Sequence, residues 1–302
     1  MKVNKKLLCI LTLVGFMVFS ISWYNKNNNY EYRYTSSKLK NTDEDTKSDT
    51  KPDKDTYEDT NVIVKIGKVS NSSDEDIKDV NVRSGPGTSY SKIGKLSNGS
   101  KVTIVDQSSD WCKIEYNNSY GYVFSDSLKI GYYIGDTPIV NKKYNLSSNY
   151  TYLDNKELYD EATSNFSKMV ADAEKEGLTI ETLNRYRSYE HQNFIYNYYE
   201  ARCEDVESFS AKPGFSEHQT GLAYDVGNSD PNTKANISFE QTKEYNWLKN
   251  NSYKYGFILR YPKGKTAITG YTFEPWHYRY VGTELSYKVY ESGLTLEEYF
   301  GI

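Results

Sequence analysis

The sequence predicts an α+β domain built on an antiparallel sheet, preceded by a small all-β barrel. Three observations carry this. Between residues 61 and 130, short alternating apolar stretches are separated by turn signals, among them Gly85-Pro86-Gly87 and Asn98-Gly99. Further on, Leu158, Ala162, Phe166, Met169, Val170 and Ala173 recur at three- and four-residue spacing, the period of an amphipathic helix. Beyond that helix, strands follow helices with no βαβ rhythm and no phosphate-binding glycine loop, which points to antiparallel pairing.

The elements follow in chain order. Lys2, Lys5 and Lys6 precede an uncharged, mostly apolar run from Leu7 to Trp23. Residues 1–24 therefore read as a signal peptide or signal anchor, with the lysines on the cytoplasmic side. No A-x-A site follows, and Ser20-Ile21-Ser22 is a weak substitute, which favours a retained anchor over cleavage. The expected location is the outer face of the cytoplasmic membrane or the cell wall, with membrane contact through this segment alone. Residues 25–60 are Asn, Lys, Asp, Thr, Ser and Glu with almost no aliphatic side chains. Such a segment cannot bury enough surface to offset its ordering entropy and reads as a disordered linker. It would span on the order of 30–35 Å.

Bulk composition agrees with a chain that is only partly core. Of the 302 residues, 37% are hydrophobic, and the mean hydropathy of -0.78 is low for a single large core. A net charge of -4 leaves no basic surplus to neutralise phosphates, so nucleic acid is not expected as a partner. Cys112 and Cys203 are far apart in sequence and read as buried fillers, without a disulfide framework.

Residues 61–130 form the barrel. VNVRSGPGTSYSKIGKL supplies a strand, a glycine-proline loop and a second strand, while KLSNGSKVTIV and WCKIEYNNSYGYVFSDSL each read as a hairpin. The pattern VNVRSGPGTSYSKIG…GYVFSDSL resembles the bacterial SH3 (SH3b) domain over nearly all of this segment. That resemblance implies attachment to peptidoglycan; a passive spacer is the alternative.

Residues 131–302 form the α+β domain. The amphipathic helix from Leu158 ends at Gly177. A second helix is expected from Glu190 to about Cys203, with Phe194, Ile195 and Tyr198 inward. A third should start at Ser238, where Ser-Phe-Glu-Gln offers a capping box before Trp247 and Leu248. Leu222–Val226 alternates apolar and other residues in the pattern of a half-buried strand, and another strand follows Trp276.

Two stretches carry candidate chemistry. In SEHQTGLAYDVG, His218 lies ahead of a strand on which Asp225 points away from the apolar face. In YTFEPWHYRYVG, Glu274 and His277 are three apart, and Pro275 should bend the chain so that Glu274 turns toward the face of His277. Each stretch alone fits an ordinary strand. Together, His218, Asp225 and His277 are a normal ligand set for one catalytic zinc ion, and Glu274 is a surplus carboxylate placed to act as general base. The same ligand types suit non-haem iron, but iron accounts neither for Glu274 nor for an exported location. Zinc hydrolysis is preferred.

Over residues 137–301 the chain resembles the VanY-type zinc D-alanyl-D-alanine carboxypeptidases, whose wider family includes lysostaphin-like enzymes and the hedgehog domain. The segments IVNKKYNL, YRSYEHQ, KPGFSEHQTGLAYDVG, YGFILRYPKGK and ITGYTFEPWHYRYVG carry this resemblance in order and spacing. It implies a hedgehog/D-Ala-D-Ala-metallopeptidase-like fold, one zinc held by His218, Asp225 and His277, and Glu274 as base. It also implies that Arg187, Gln192 and Ser216 contact substrate, with Arg187 stabilising the oxyanion. The implied reaction removes the terminal D-Ala of a peptidoglycan stem peptide, a pentapeptide ending in D-Ala-D-Ala by preference. L,D-carboxypeptidase or endopeptidase action on the same wall polymer are the near alternatives, and a non-catalytic wall-binding protein is the alternative from another class. One departure is visible: Asn184 and Arg185 replace the small residues usual before this motif's arginine, altering the loop beside Arg187. His191 has no role in the pattern and reads as a helix-surface residue.

Overall fold

The computed structural model describes residues 62–70 and 79–302. The expected export segment (1–24) and linker (25–60) lie outside the described residues.

The N-terminal strands are β1 (Val64–Val69), β2 (Asp79–Arg83), β3 (Lys92–Ser97), β4 (Lys101–Ser108), β5 (Trp111–Tyr116), β6 (Ser119–Phe124), β7 (Leu128–Ile134) and β8 (Thr137–Ile139). They form one antiparallel sheet in the order β3-β2-β6-β5-β4-β1-β7-β8. Alternate residues such as Val82, Ile104, Ile114, Val123 and Leu128 point inward and build a separate core. Both predicted hairpins are present. Gly99 takes the left-handed conformation (φ +86°) between β3 and β4, and Asn117 and Asn118 (φ 48° and 58°) turn β5 into β6. Two consecutive positive φ values are what a tight hairpin with right-twisted strands requires. Cys112 is a filler in this core, and burial pushes its thiol up to about 11. Cys203 departs from that expectation: it is disulfide-bonded.

β7 is shared. Leu128 and Ile130 pack into the barrel, while Ile134 joins Ile139, Ile258, Val281, Val289, Leu296 and Phe300 in a second cluster. Ile130 exchanges hydrogen bonds with Ser147 (2.8 and 2.9 Å), and Lys129 lies 3.3 Å from Asp154. The barrel is therefore continuous with the chain that follows.

The second sheet is β11-β12-β10-β9, all antiparallel, from β9 (Glu181–Asn184), β10 (Ala223–Gly227), β11 (Phe257–Leu259) and β12 (His277–Tyr280). Helix α1 (Lys156–Lys175) covers one face. Its Ala162, Phe166, Met169 and Ala173 pack on Tyr224, Val226, Tyr278 and Tyr280, with Phe166 stacked on Tyr224 at 4.5 Å. All five residues of β10 are buried, so the expected half-exposed strand is corrected: its second face carries a buried polar layer.

Two helices differ from expectation. Helix α2 (Tyr189–Glu200) is capped by the Ser188 side chain, which accepts from the His191 amide. It buries His191, Gln192, Ile195, Tyr196 and Tyr199, whereas Phe194 is 41% exposed and Tyr198 only half-buried. The inward stripe begins with two polar residues, so apolar periodicity alone placed it about one position off. His191, expected on the helix surface, is buried. Helix α3 (Lys243–Asn251) begins later than Ser238 because the Thr242 hydroxyl caps it, while Asn236 caps a short 3-10 turn over Ile237–Gln241. Trp247 and Leu248 are buried as expected. Helices α4 (Thr266–Thr269), α5 (Thr283–Ser292) and α6 (Leu296–Phe300) complete the fold.

Candidate metal and active site

The polar face of the second sheet is set by strand register. Asp225 on β10 pairs directly with His277 on β12, so their side chains project together. His218 sits on a 3-10 turn (Glu217–Thr220) that closes at Gly221. Gly221 has φ +72°, and a Cβ there would meet Tyr152 and Tyr159 at 2.7 Å. Only glycine lets the turn deliver His218 to the head of β10. The bend expected at Pro275 is present: the His277 amide donates to the Glu274 carbonyl (3.1 Å), which brings Glu274 Oε2 to 3.5 Å from His277 Nδ1.

One donor atom each from His218, Asp225 and His277 lies within 4.8 Å of the others. His218 Nε2 is 3.2 Å from Asp225 Oδ2, and His277 Nδ1 is 3.2 Å from Asp225 Oδ1. The tautomer of His218 follows from its other nitrogen. Nδ1 stands 2.6 Å from the Arg185 carbonyl, which can only accept, so Nδ1 carries the proton and Nε2 offers its lone pair to the cluster. Asn184 Nδ2 donates to Asp225 Oδ2 at 3.1 Å and steadies the carboxylate.

A divalent cation fits these residues. Asp225 Oδ1 is buried without a hydrogen bond among the described residues. Although burial opposes charge, the Asp225 and Glu217 carboxylates close to its ring raise His277 to about 9. Burial likewise works against ionised Asp225, yet the His218 and His277 imidazoles beside it hold it well below the usual carboxylate range. The cavity is thus organised around positive charge at the point where the three donors meet. Two imidazoles and a carboxylate are borderline donors suited to zinc.

Arg187, Gln192, Ser216 and Glu274 line the same cavity, with Tyr261, Tyr271, Phe209 and Trp276 as aromatic walls. Burial, reinforced by Asp225 and Glu217, raises Glu274 to about 8 against the opposing pull of His277 and Arg187. Arg187 Nη1 donates to Gln192 Oε1 (2.8 Å), and Gln192 Nε2 donates to the Ala211 carbonyl (2.6 Å). The amide of Gln192 is therefore anchored at both ends and orients the guanidinium. Arg187 Nε is buried with no hydrogen bond among the described residues.

Several site residues escaped the sequence reading. Arg185, noted only as a departure, turns out of the cavity: it stacks on Tyr159 (3.5 Å) and donates to the Gly221 and Tyr159 carbonyls. Its backbone carbonyl still serves His218. Glu217, Arg260 and Arg279 form a buried ion network behind His277. Charged residues inside the otherwise apolar runs around FILRY and HYRYV were the available signal.

Comparison with known proteins decides the family. The model of the VanY family, D-alanyl-D-alanine carboxypeptidase, matches residues 155–283, and the bacterial SH3 domain model matches residues 78–129. A D-alanyl-D-alanine carboxypeptidase of Enterococcus faecium is 34% identical over 229 residues, covering 75% of this chain and 70% of that protein. The chain belongs to the VanY D-alanyl-D-alanine carboxypeptidase family. A second relative, the D-alanyl-D-alanine carboxypeptidase of Enterococcus faecalis (strain ATCC 700802 / V583), is 53% identical over 95 residues, 32% of this chain and 33% of that one. Among solved structures, the LdcB LD-carboxypeptidase is 43% identical over 47% of this chain and 67% of its own, with a TM-score of 0.45. The span matched by the VanY model contains every residue of the cavity discussed above, and the SH3 model lies within the N-terminal barrel.

Proposed function

We propose that this chain is a zinc-dependent carboxypeptidase that releases the terminal D-alanine from peptidoglycan stem peptides, with pentapeptides ending in D-Ala-D-Ala as the favoured substrate. The observation that carries this is the joint placement of His218, Asp225 and His277 within 4.8 Å, with Glu274 3.5 Å from His277. Membership in the VanY family supports the substrate class.

His218 would hold zinc through Nε2, His277 through Nδ1 and Asp225 through its carboxylate. Zinc bound there supplies Lewis acidity, which eases deprotonation of water and polarises the scissile carbonyl. Glu274, set 3.5 Å from His277 at the edge of the donor cluster, is placed to take a proton from the attacking water and return it to the leaving amine of D-alanine. Arg187 offers a planar guanidinium with an unengaged Nε to the substrate carboxylate or the developing oxyanion. Gln192 keeps that guanidinium aimed, and Ser216, buried on the cavity wall, adds a hydroxyl to the substrate side.

The barrel would hold peptidoglycan while the second domain cuts. Export and attachment to the outer face of the membrane or to the wall are supported by Lys2, Lys5, Lys6 and the apolar run from Leu7 to Trp23.

Incubation with defined stem peptides tests the assignment. The expected product from a pentapeptide is the tetrapeptide plus one D-alanine. Faster cleavage of the tetrapeptide would reassign the enzyme as an L,D-carboxypeptidase, cuts within cross-bridges would make it an endopeptidase, and no product from any stem would leave a wall-binding protein.

A further inference from the structure

Behind the metal cluster, two buried polar atoms face each other with no other partner among the described residues: Glu217 Oε2 and His277 Nε2, 3.5 Å apart. Glu217 is 1% exposed. Its other oxygen, Oε1, accepts from Arg260 Nε (2.8 Å) and Arg279 Nη1 (2.9 Å), which fixes the orientation of the carboxylate. Arg279 is tied in turn to the Pro138 and Tyr280 carbonyls, and Arg260 is held bidentately by Glu297. Oε2 therefore has one direction to point, toward His277.

We propose that Glu217 is a positioning residue for the metal site, holding the proton of His277 on Nε2 so that Nδ1 faces Asp225 with its lone pair free. An ionised carboxylate only accepts, so the imidazole nitrogen opposite it must be the donor. The two histidines are then set by different devices. A backbone carbonyl fixes His218 for Nε2, and a charged carboxylate fixes His277 for Nδ1. A carboxylate behind a metal-bound imidazole also raises its basicity as a ligand. Charge balance fits: Glu217 and Glu297 offset Arg260 and Arg279, so His277 meets a negative oxygen and not an arginine.

This inference rests on the zinc reading of the site, and Glu217→Gln tests it. Two guanidinium groups would draw the amide oxygen to the Oε1 position, leaving the amide NH2 against His277 Nε2. The wrong tautomer would follow. Zinc affinity is measured on the full chain by competition with a chromophoric chelator, with Glu297→Gln as a control that removes the other carboxylate of the same ion network. We expect Glu217→Gln to bind zinc about 10–100-fold more weakly, and Glu297→Gln to stay near wild type even if both melt earlier. Equal affinity in Glu217→Gln and wild type, or equal losses in both variants, would reduce Glu217 to a structural ion pair. Wild type that takes up no zinc would overturn the metal reading and this inference together. Should Glu217→Gln fail to fold, Glu217→Asp keeps the charge but withdraws it by one methylene. Weakened zinc binding is expected there too, and wild-type affinity would contradict the proposal.

Discussion

Asp225 and His277 stand opposite each other on adjacent antiparallel strands, with Oδ1 3.2 Å from Nδ1. A one-residue slip in that pairing would send one of them to the hydrophobic face beneath α1. The same register that packs Tyr224 and Tyr278 against α1 thus assembles the polar cluster on the reverse side, so site and core are specified together.

Arg187 is expected to read the C-terminal carboxylate of the substrate. Its guanidinium is buried, held by Gln192 and carries an unengaged Nε. Lysine keeps the charge but cannot reproduce paired planar donors. Arg187→Lys should lower kcat/KM severely, by about 10²-fold or more. Amidating the peptide C-terminus should cost a similar amount in the wild type, by leaving buried donors without their anion. Efficient cleavage of the amidated peptide would remove carboxylate recognition from the account.

His191 should make stability acid-sensitive. Burial, with Arg187 adding, pushes its imidazole down to about 4. A histidine whose folded value lies below its unfolded value of about 6.5 contributes stability that is present at higher pH and is lost as pH falls from 6.5 through 4. His191→Gln should flatten the fall of the unfolding midpoint over that window relative to wild type. Parallel curves for the two proteins would show that His191 does not titrate on unfolding.

The barrel should be dispensable for chemistry but not for wall binding. Removing residues 1–127 keeps β7 and the Ile130–Ser147 hydrogen bonds, so hydrolysis of small soluble peptides should stay within a few-fold of wild type. Binding to insoluble sacculi should weaken. Extending the deletion through Ile134 strips a residue from the cluster around Ile258 and Phe300 and should lower the melting temperature further. Equal sacculus binding by full-length and truncated chains would leave the barrel a spacer.

Much of this was legible in the sequence, because α1 and the hairpins obey simple periodicities and turn chemistry. Gly99 and Asn117-Asn118 occupy the left-handed conformations their residue types favour. The donors His218, Asp225 and His277, and Glu274 beside them, were legible from residue type together with a family pattern, not from spacing alone. What escaped was whatever depends on three-dimensional pairing. The stripe of α2 opens with His191 and Gln192, whose polarity hides an inward face. Glu217, Arg260, Arg279 and Glu297 come from four separate segments, and only the folded structure reveals that they neutralise one another. The half-exposed character expected of β10 failed for the same reason, since alternation cannot distinguish a face turned to solvent from one turned to a buried ion network.

The central claim is that His218, Asp225 and His277 hold zinc while Glu274 moves the proton, and one paired measurement separates those roles: zinc content and turnover of the same Glu274→Gln preparation. Glutamine preserves size and leaves the three donors untouched but cannot take up a proton. The expected result is about one zinc per chain, as in wild type, with turnover on a pentapeptide reduced roughly 10²–10⁴-fold. Loss of zinc in Glu274→Gln would make Glu274 a ligand, and turnover within a few-fold of wild type would show that the proton passes through another group.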